Sequence, residues 1–198
     1  MLKYAKPEDL EALLAEVRAC RSCADLPLGS RPVLRAGTGA RILIAGQAPG
    51  TRVHESGIPW DDASGERLRA WLDLGPEVFY DESRIAIIPQ AFCYPGRGRN
   101  GDLPPRRECS ERWHGRLIAA LPGIEVFVLA GRYAQGYHLA DRSKPTLAET
   151  VRSWREYAPR YFPLPHPSWH NNNWLKQNPW FESETLPALR AAIAPLLR

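Results

Sequence analysis

The residues most able to do chemistry lie in two short segments that are far apart in the chain. The first, Gly46–Gly50, reads Gly-Gln-Ala-Pro-Gly and forms a turn whose backbone N–H groups can point at a ligand. The second holds His166 between two prolines and continues with Ser168. The prolines restrict the backbone around His166, which suits a hydrogen-bond donor that must be preorganised. Either segment alone is weak evidence, because similar turns and surface histidines are common in loops.

The cysteines form a second candidate site. There are four of them, a Cys-x-x-Cys pair followed after a long gap by two more: Cys20, Cys23, Cys93 and Cys109. Four thiolates can ligate one [4Fe–4S] cluster, and a tetrahedral four-cysteine site also accepts Zn²⁺. Free thiols, or a site that has lost its metal, give the same pattern. A redox pair built on Cys20 and Cys23 predicts a thiol with a lowered pKa, but the second pair argues against it.

The arginines favour a polyanionic partner. The net charge is +4, and six arginines fall within one glycine-containing stretch: Arg97, Arg99, Arg106, Arg107, Arg112 and Arg116. A guanidinium group makes fork-like contacts to phosphate, although a solvated loop can have the same composition. Several of the seven tryptophans lie near Gly-, Pro- or Asn-rich segments. They could stack on bases or cover a hydrophobic core.

The elements that must position these residues follow from the hydrophobic pattern. Buried parallel strands are predicted over residues 41–46, 84–88, 124–130 and 160–164. Helices are predicted over residues 7–19, 64–74 and 108–121, with Ser64 as the N-cap of the second. This alternation predicts an α/β fold, a three-layer α/β/α sandwich with a central four-stranded parallel sheet. Ligands bind at the carboxyl ends of such strands, so the fold should bring the two segments together.

The broad class of protein also follows from the sequence. We expect a single domain over residues 1–198, because this length can bury one substantial core. No apolar run approaches the ~20 residues needed to cross a bilayer. The segment around Met1 does not read as a secretory signal, so a cytoplasmic monomer with no membrane partner is expected.

Taken together, in this order and at these separations, the motifs resemble those of the uracil-DNA glycosylase superfamily. They are most similar to the family 4 enzymes, which carry an iron–sulfur cluster. The first motif of that family is Gly-Glu-Ala-Pro-Gly, and Gln47 replaces its Glu here. The second motif begins His-Pro, like residues 166–171, and Gly57–Trp60 looks like the family's Gly-x-Pro-Phe. The resemblance covers roughly residues 10–195.

This resemblance implies a monofunctional glycosylase that flips out and excises uracil, or a related deaminated base, from DNA in base-excision repair. His166 would donate a hydrogen bond to uracil O2, and Trp60 would stack on the base within a pocket that includes Gly46 and Ala48. The predicted phosphate contacts are Ser168, Arg97 and Arg99, and the predicted wedge in the base stack is Trp169 or His170. The four cysteines would hold a structural [4Fe–4S] cluster that ties the N-terminal helix to the arginine-rich loop.

Two departures from the family's motifs leave part of the chemistry open. The first motif has no carboxylate, so Gln47 would orient a water, and Asp61 or Asp62 could replace the missing acid or simply cap a turn. The family's base-reading Asn corresponds to Pro89 here, so Gln90 or the amides from Asn171 onwards would read the base. An alternative function is therefore a low-activity superfamily member that binds damaged or abasic DNA.

Overall fold

The computed structural model describes residues 9–99 and 101–198. Its strands are β1 (Ile42–Ala45), β2 (Ile85–Ile87), β3 (Arg97–Gly98), β4 (Gly101–Asp102), β5 (Val126–Ala130) and β6 (Tyr161–Leu164). Its α-helices are α1 (Leu10–Arg18), α2 (Thr51–Ser56), α3 (Ala63–Leu72), α4 (Pro76–Phe79), α5 (Arg107–Ala119), α6 (Arg132–Leu139), α7 (Leu147–Arg152), α8 (Asn172–Gln177) and α9 (Leu186–Ile193).

The centre of the fold is a four-stranded parallel sheet in the order β2-β1-β5-β6. The central strand β1 pairs with β2 on one side and β5 on the other, so that Ile44 lies beside both Ile87 and Val128. The chain moves from β1 to one edge and later returns to the opposite side. The sheet therefore has a topological switch point next to β1, where parallel α/β sheets usually bind ligands.

Two hydrophobic clusters cover the two faces of this sheet. Along β1, Leu43 faces one cluster and Ile42 and Ile44 face the other, as the period of two in a strand requires. Helices α1, α5 and α6 supply the first cluster, and helices α3, α4, α7 and α9 supply the second. The predicted three-layer α/β/α architecture with four parallel strands is confirmed.

The observed N-cap of α3 differs from the predicted one, whereas the last helix ends before a proline, as expected from the sequence. The N-cap of α3 is Asp62, not Ser64, because a carboxylate oxygen of Asp62 accepts a hydrogen bond from the Gly65 N–H at 2.8 Å. Near the C-terminus, a π-helical turn precedes α9, and α9 ends at Ile193, before Pro195. Proline lacks the N–H that would continue the helical hydrogen bonding.

Several short elements were not predicted from the sequence. The antiparallel pair of β3 and β4, which we call the small ribbon, joins Arg97 to Asp102 and Gly98 to Gly101. Two-residue strands are too short to show any periodicity. Across residues 9–99 and 101–198, we find no helix with the length and apolar character of a membrane span.

Candidate active site

A large cavity opens at the carboxyl ends of the parallel strands, with a volume of about 820 Å³. The turn after β1 forms one wall, and the loop after β6 forms another. The structure brings together Gln47, Trp60 and His166 at this cavity, although they are far apart in the sequence. Of the predicted site residues, ten line it: Gly46, Gln47, Ala48, Trp60, Arg97, Arg99, His166, Ser168, Trp169 and His170.

Trp60 is held in an unusual conformation at the base of the cavity. Its φ is +59°, a left-handed value that is rare for a bulky residue and indicates a position fixed by its surroundings. The Tyr80 hydroxyl donates to the Trp60 carbonyl at 3.3 Å. The indole ring lies against Gly46, where any Cβ would come within 2.6 Å of Trp60 Cζ2. A glycine at position 46 is therefore required by the position of this ring.

The loop that carries His166 is fixed by contacts to its backbone. The Asn171 side-chain amide donates to the His166 carbonyl at 2.7 Å. The Gln135 amide donates to the carbonyl of Leu164, the last residue of β6, also at 2.7 Å. Gly131, with φ +88°, allows close approach, since a Cβ there would lie 3.3 Å from His166 Cβ. The imidazole is thereby aimed into the cavity without using its own ring nitrogens.

Burial determines the charge of this imidazole. It lowers the pKa of His166 below its ordinary value, an effect opposed by the nearby Asp62 carboxylate and reinforced by His170. The ring is therefore neutral near pH 7 and offers one N–H donor. The centroid of the His166 ring lies 5.6 Å from that of Trp60, with the planes tilted by 35°. A flat ligand resting beside Trp60 would therefore come within reach of a neutral hydrogen-bond donor.

Gln47 links the turn after β1 to the small ribbon. Its side-chain amide nitrogen donates to the Leu103 carbonyl at 3.2 Å. An ionised glutamate could not make this contact, because a carboxylate has no proton to donate. The Gln47 side chain is thus held in place by a backbone carbonyl.

The small ribbon and the loop after His166 complete the cavity. Arg97 and Arg99 lie on the ribbon side and have exposed side chains. On the opposite rim, Trp169 is 70% exposed and stacks on His170, with the ring centroids 3.8 Å apart. The cavity therefore combines cationic groups that can bind phosphate with a projecting pair of aromatic rings.

Comparison with known proteins assigns the family. The family model described as the uracil DNA glycosylase superfamily matches residues 35–190, which include both motif segments and every element of the central sheet. The chain belongs to the uracil DNA glycosylase superfamily. The match begins after Cys20 and Cys23, so it carries no information on the first pair of cysteines.

A solved structure shows a more distant similarity. It is a solution NMR structure of a provisionally named uracil DNA glycosylase from Methanosarcina acetivorans. The sequences are 17% identical, the alignment covers 81% of this chain and 98% of the other, and the TM-score is 0.46. A similarity at this level is too remote to inform individual residues of the site.

Three predicted site residues of this superfamily member do not line the cavity: Asp61, Gln90 and Asn171. Asp61 lies beside the capping Asp62, and it is Asp62 that reaches the wall. Gln90 is buried, its Nε2 has no hydrogen-bond partner within the described part of the chain, and its backbone N–H donates to the Gly46 carbonyl at 3.0 Å. Asn171 uses its amide on the His166 backbone.

The four cysteines of this superfamily member surround one small cavity of about 130 Å³. Cys20 and Cys23 follow α1, Cys93 follows β2, and Cys109 lies in the first turn of α5. All four thiols are free. Among residues 9–99 and 101–198, no three His, Cys, Asp or Glu side chains are arranged to hold a single metal ion.

The surroundings of these thiols favour different protonation states. Burial raises the pKa of Cys93 to about 11 and that of Cys109 to about 12. Burial also raises the pKa of Cys23. For Cys20, partial burial acts in the same direction, but hydrogen bonding with Ser22 and the charge of Arg112 outweigh it and leave its pKa lowered. This agrees with the redox interpretation for one thiol, yet such a pair does not need the two further cysteines in the same cavity.

Sequence reasoning missed Asp102, Ser64 and Val53, which also line the large cavity. Asp102 lies in the glycine- and arginine-rich stretch, whereas the predicted replacement carboxylates, Asp61 and Asp62, directly follow Trp60. The position of Asp102 on the cavity wall depends on the pairing of β3 with β4. The only sequence signal was its place within the arginine-rich loop that was expected to meet DNA.

Proposed function

We propose that this protein is a monofunctional DNA glycosylase that flips uracil, or a related deaminated base, out of DNA and hydrolyses its N-glycosidic bond in base-excision repair. One observation carries the proposal: Gln47, Trp60 and His166 share a cavity whose walls also hold arginines and whose rim holds exposed aromatic rings. Membership of the uracil DNA glycosylase superfamily supports the reaction class.

The residues around the cavity mouth are suited to DNA binding and base flipping. Arg97, Arg99 and Ser168 would contact phosphates on either side of the flipped nucleotide. The stacked pair of Trp169 and His170 would enter the gap left in the base stack. Filling that gap offsets part of the cost of extrusion, which is about a few kcal/mol.

Inside the cavity, Trp60 would stack on the extruded base, with the backbone of Gly46 and Ala48 beside it. Gln90 is the candidate reader of the base edge for two reasons. Its Nε2 has no hydrogen-bond partner among the described residues, and the preceding residue, Pro89, lines the cavity. Asn171 is better suited to positioning, since its amide holds the carbonyl of His166.

His166 would stabilise the leaving base. When the bond between C1′ and the base breaks, the electron pair stays on the base, which departs as an anion. A neutral imidazole N–H can donate to the uracil O2 without giving up its proton. One preorganised donor of this kind contributes about 3–4 kcal/mol to transition-state stabilisation.

The four cysteines are proposed to hold a [4Fe–4S] cluster, as in the family 4 enzymes that the motifs resemble. All four line one cavity, and soft thiolate donors suit iron–sulfur clusters and zinc more than hard cations. When bound, the cluster would serve as a structural cross-link. The thiolates of Cys93 and Cys109 would join the end of β2 and helix α5 to the segment that follows α1.

Gln47 supports a second candidate function, the binding of damaged or abasic DNA with little catalysis. Its amide cannot act as a strong base, and it is already bound to the Leu103 carbonyl. A dissociative reaction needs only weak assistance to the attacking water, so excision remains the favoured function.

A single-turnover assay separates these functions. Oligonucleotides carrying uracil, hypoxanthine or xanthine, as single and double strands, are incubated with excess protein and treated with alkali to reveal abasic sites. We expect strand cleavage at uracil first. Binding to an abasic oligonucleotide is measured in parallel. Tight abasic binding without alkali-labile sites on any substrate would instead identify a binding protein.

A further inference from the structure

The cavity contains two carboxylates among the described residues that line it, those of Asp62 and Asp102. The Asp62 carboxylate is already used as the N-cap of α3, where it accepts the Gly65 N–H at 2.8 Å. The Asp102 carboxylate accepts no hydrogen bond from any described residue, and the side chain is exposed at the cavity. Asp102 is therefore the carboxylate that is free to act on a ligand.

The small ribbon carries Asp102 to the first motif. Asp102 pairs with Arg97 across the ribbon. Its Oδ2 atom lies 3.6 Å from the point that a Cβ on Gly50 would occupy. The next residue, Leu103, accepts the hydrogen bond from the Gln47 amide. Gln47, which stands where the family 4 motif has Glu, thus anchors the segment that brings the Asp102 carboxylate close to the first motif.

We propose that Asp102 supplies the carboxylate that the first motif lacks, as the catalytic base for the attacking water. This inference rests on the proposed glycosylase function. As the N-glycosidic bond breaks, its electron pair leaves with the base. The water oxygen bonds to C1′, and one water proton passes to the Asp102 carboxylate and then to solvent. The base anion, stabilised by His166, takes a proton from solvent.

The electrostatic surroundings of Asp102 suit this role. Partial burial raises its pKa above the ordinary value, Arg97 opposes the shift, and the negative charge of Asp62 adds to it. A carboxylate with a raised pKa is a better proton acceptor near neutral pH. Its negative charge would also favour the positive charge that develops on the sugar.

The other candidates are less well placed. Asp61 is absent from the cavity wall, and its backbone N–H is directed to the Ile58 carbonyl at 3.3 Å. Gln47 carries no charge, and its amide is bound to the ribbon. Neither offers an ionised oxygen to a water in the cavity.

The test compares two variants that remove one negative charge each. Asp102→Asn is expected to lower the single-turnover excision rate about 100-fold and to remove the acidic limb of the pH–rate profile. DNA binding should be unchanged or tighter, because a negative charge near the phosphates is lost. Asp141→Asn, at an exposed carboxylate outside the cavity, should leave the rate and the profile unchanged.

Three results would overturn the inference, and they can be told apart. If wild-type protein excises a base and Asp102→Asn does so at the same rate with the same pH profile, Asp102 is not the base and the glycosylase function stands. If Asp61→Asn alone reproduces the expected loss, the role belongs to Asp61. If wild-type protein excises no base from any substrate, both the inference and the proposed function fail.

Discussion

At the scale of single residues, the site depends on groups held by the backbone around them. Asn171 holds the His166 carbonyl, and Gly131 leaves room for the His166 side chain. Trp60 has a left-handed backbone conformation, and its ring packs against Gly46. In the proposed reaction, such preorganisation would let a neutral histidine act on a developing anion with little rearrangement.

Replacing His166 tests the assignment of the leaving-group donor. His166→Ala removes the one imidazole of the cavity that is aimed beside Trp60, so we expect the single-turnover rate to fall about 10²–10³-fold. The affinity for uracil-containing DNA should change little, because the phosphate contacts remain. Rate and affinity are measured on the same oligonucleotide. An unchanged rate would show that another group stabilises the leaving base.

At the scale of elements, the small ribbon positions both basic and acidic side chains at the cavity. It places Arg97 and Arg99 at the cavity, where they can meet phosphates, and it carries Asp102 towards the first motif. The Gln47 amide fixes the ribbon to the turn after β1. DNA binding and catalysis are therefore expected to depend on the same short hairpin, but through different side chains.

The arginines of the ribbon predict a specific salt dependence. Each guanidinium that neutralises a phosphate releases counterions and steepens the fall of affinity with salt. In the double variant Arg97→Ala/Arg99→Ala, the slope of log affinity against log salt should become shallower by about 1.5. Fluorescence anisotropy over a salt series measures it. As a control, Arg18→Ala removes an exposed arginine outside the cavity and should leave the slope unchanged. Equal slopes in the wild-type protein, the double variant and Arg18→Ala would exclude phosphate contacts by Arg97 and Arg99.

At the scale of the whole molecule, two hydrophobic layers cover the sheet, and side chains from distant segments meet in two places beside it. The four cysteines bring the end of α1, the end of β2 and helix α5 around one cavity. On the same side of the sheet, His114 is buried and His138 is half-buried, with their ring centroids 6.1 Å apart. Both features should affect stability more than the chemical step.

Protein purified without oxygen should be brown and should contain about four iron atoms per chain, with visible iron–sulfur absorbance. Cys109→Ser should abolish the colour and lower the melting temperature, because the link between α5 and the segment after α1 is lost. Metal analysis and thermal unfolding provide the measurements. A colourless protein containing one zinc ion would show that the thiolates bind zinc instead.

The buried histidines predict that the protein loses stability in acid. Burial lowers the pKa of His114 to about 4, with the Pro89 carbonyl acting in the opposite sense, and burial lowers that of His138 to about 3. The unfolded chain binds protons below the ordinary histidine pKa of about 6.5, where the folded protein does not. Stability is therefore fully present above about pH 6.5 and falls by about 2 kcal/mol per histidine between pH 7 and pH 5.

Urea unfolding at several pH values measures this loss. His138→Phe should remove about 2 kcal/mol of the loss between pH 7 and pH 5, because phenylalanine does not titrate and the neighbouring side chains at this position are aromatic. His170→Gln, at an exposed histidine on the cavity rim, should leave the pH dependence of unfolding as it is. If all three proteins lose stability equally, the acid sensitivity has another source.

The hydrophobic pattern along the chain is sufficient to predict the sheet, its two covered faces and the segments that end its strands. These features depend on local patterns: the apolar runs at Ile42–Ala45 and Val126–Ala130, and glycines or prolines directly after the strands. A parallel sheet gathers its carboxyl ends at one edge whatever the loops do. The strand order along the chain therefore predicts that Gln47 and His166 lie at the same edge of the sheet.

Which polar groups face the cavity depends on contacts between segments that are distant in sequence. Asp62 and Asp61 are adjacent in sequence, yet one caps α3 at the wall and the other does not line it. Asp102 reaches the first motif through a ribbon of two-residue strands, which leaves no periodic signal. The direction of a side chain depends on backbone angles and on contacts between distant segments, and neither is encoded in the spacing of residue types along the chain.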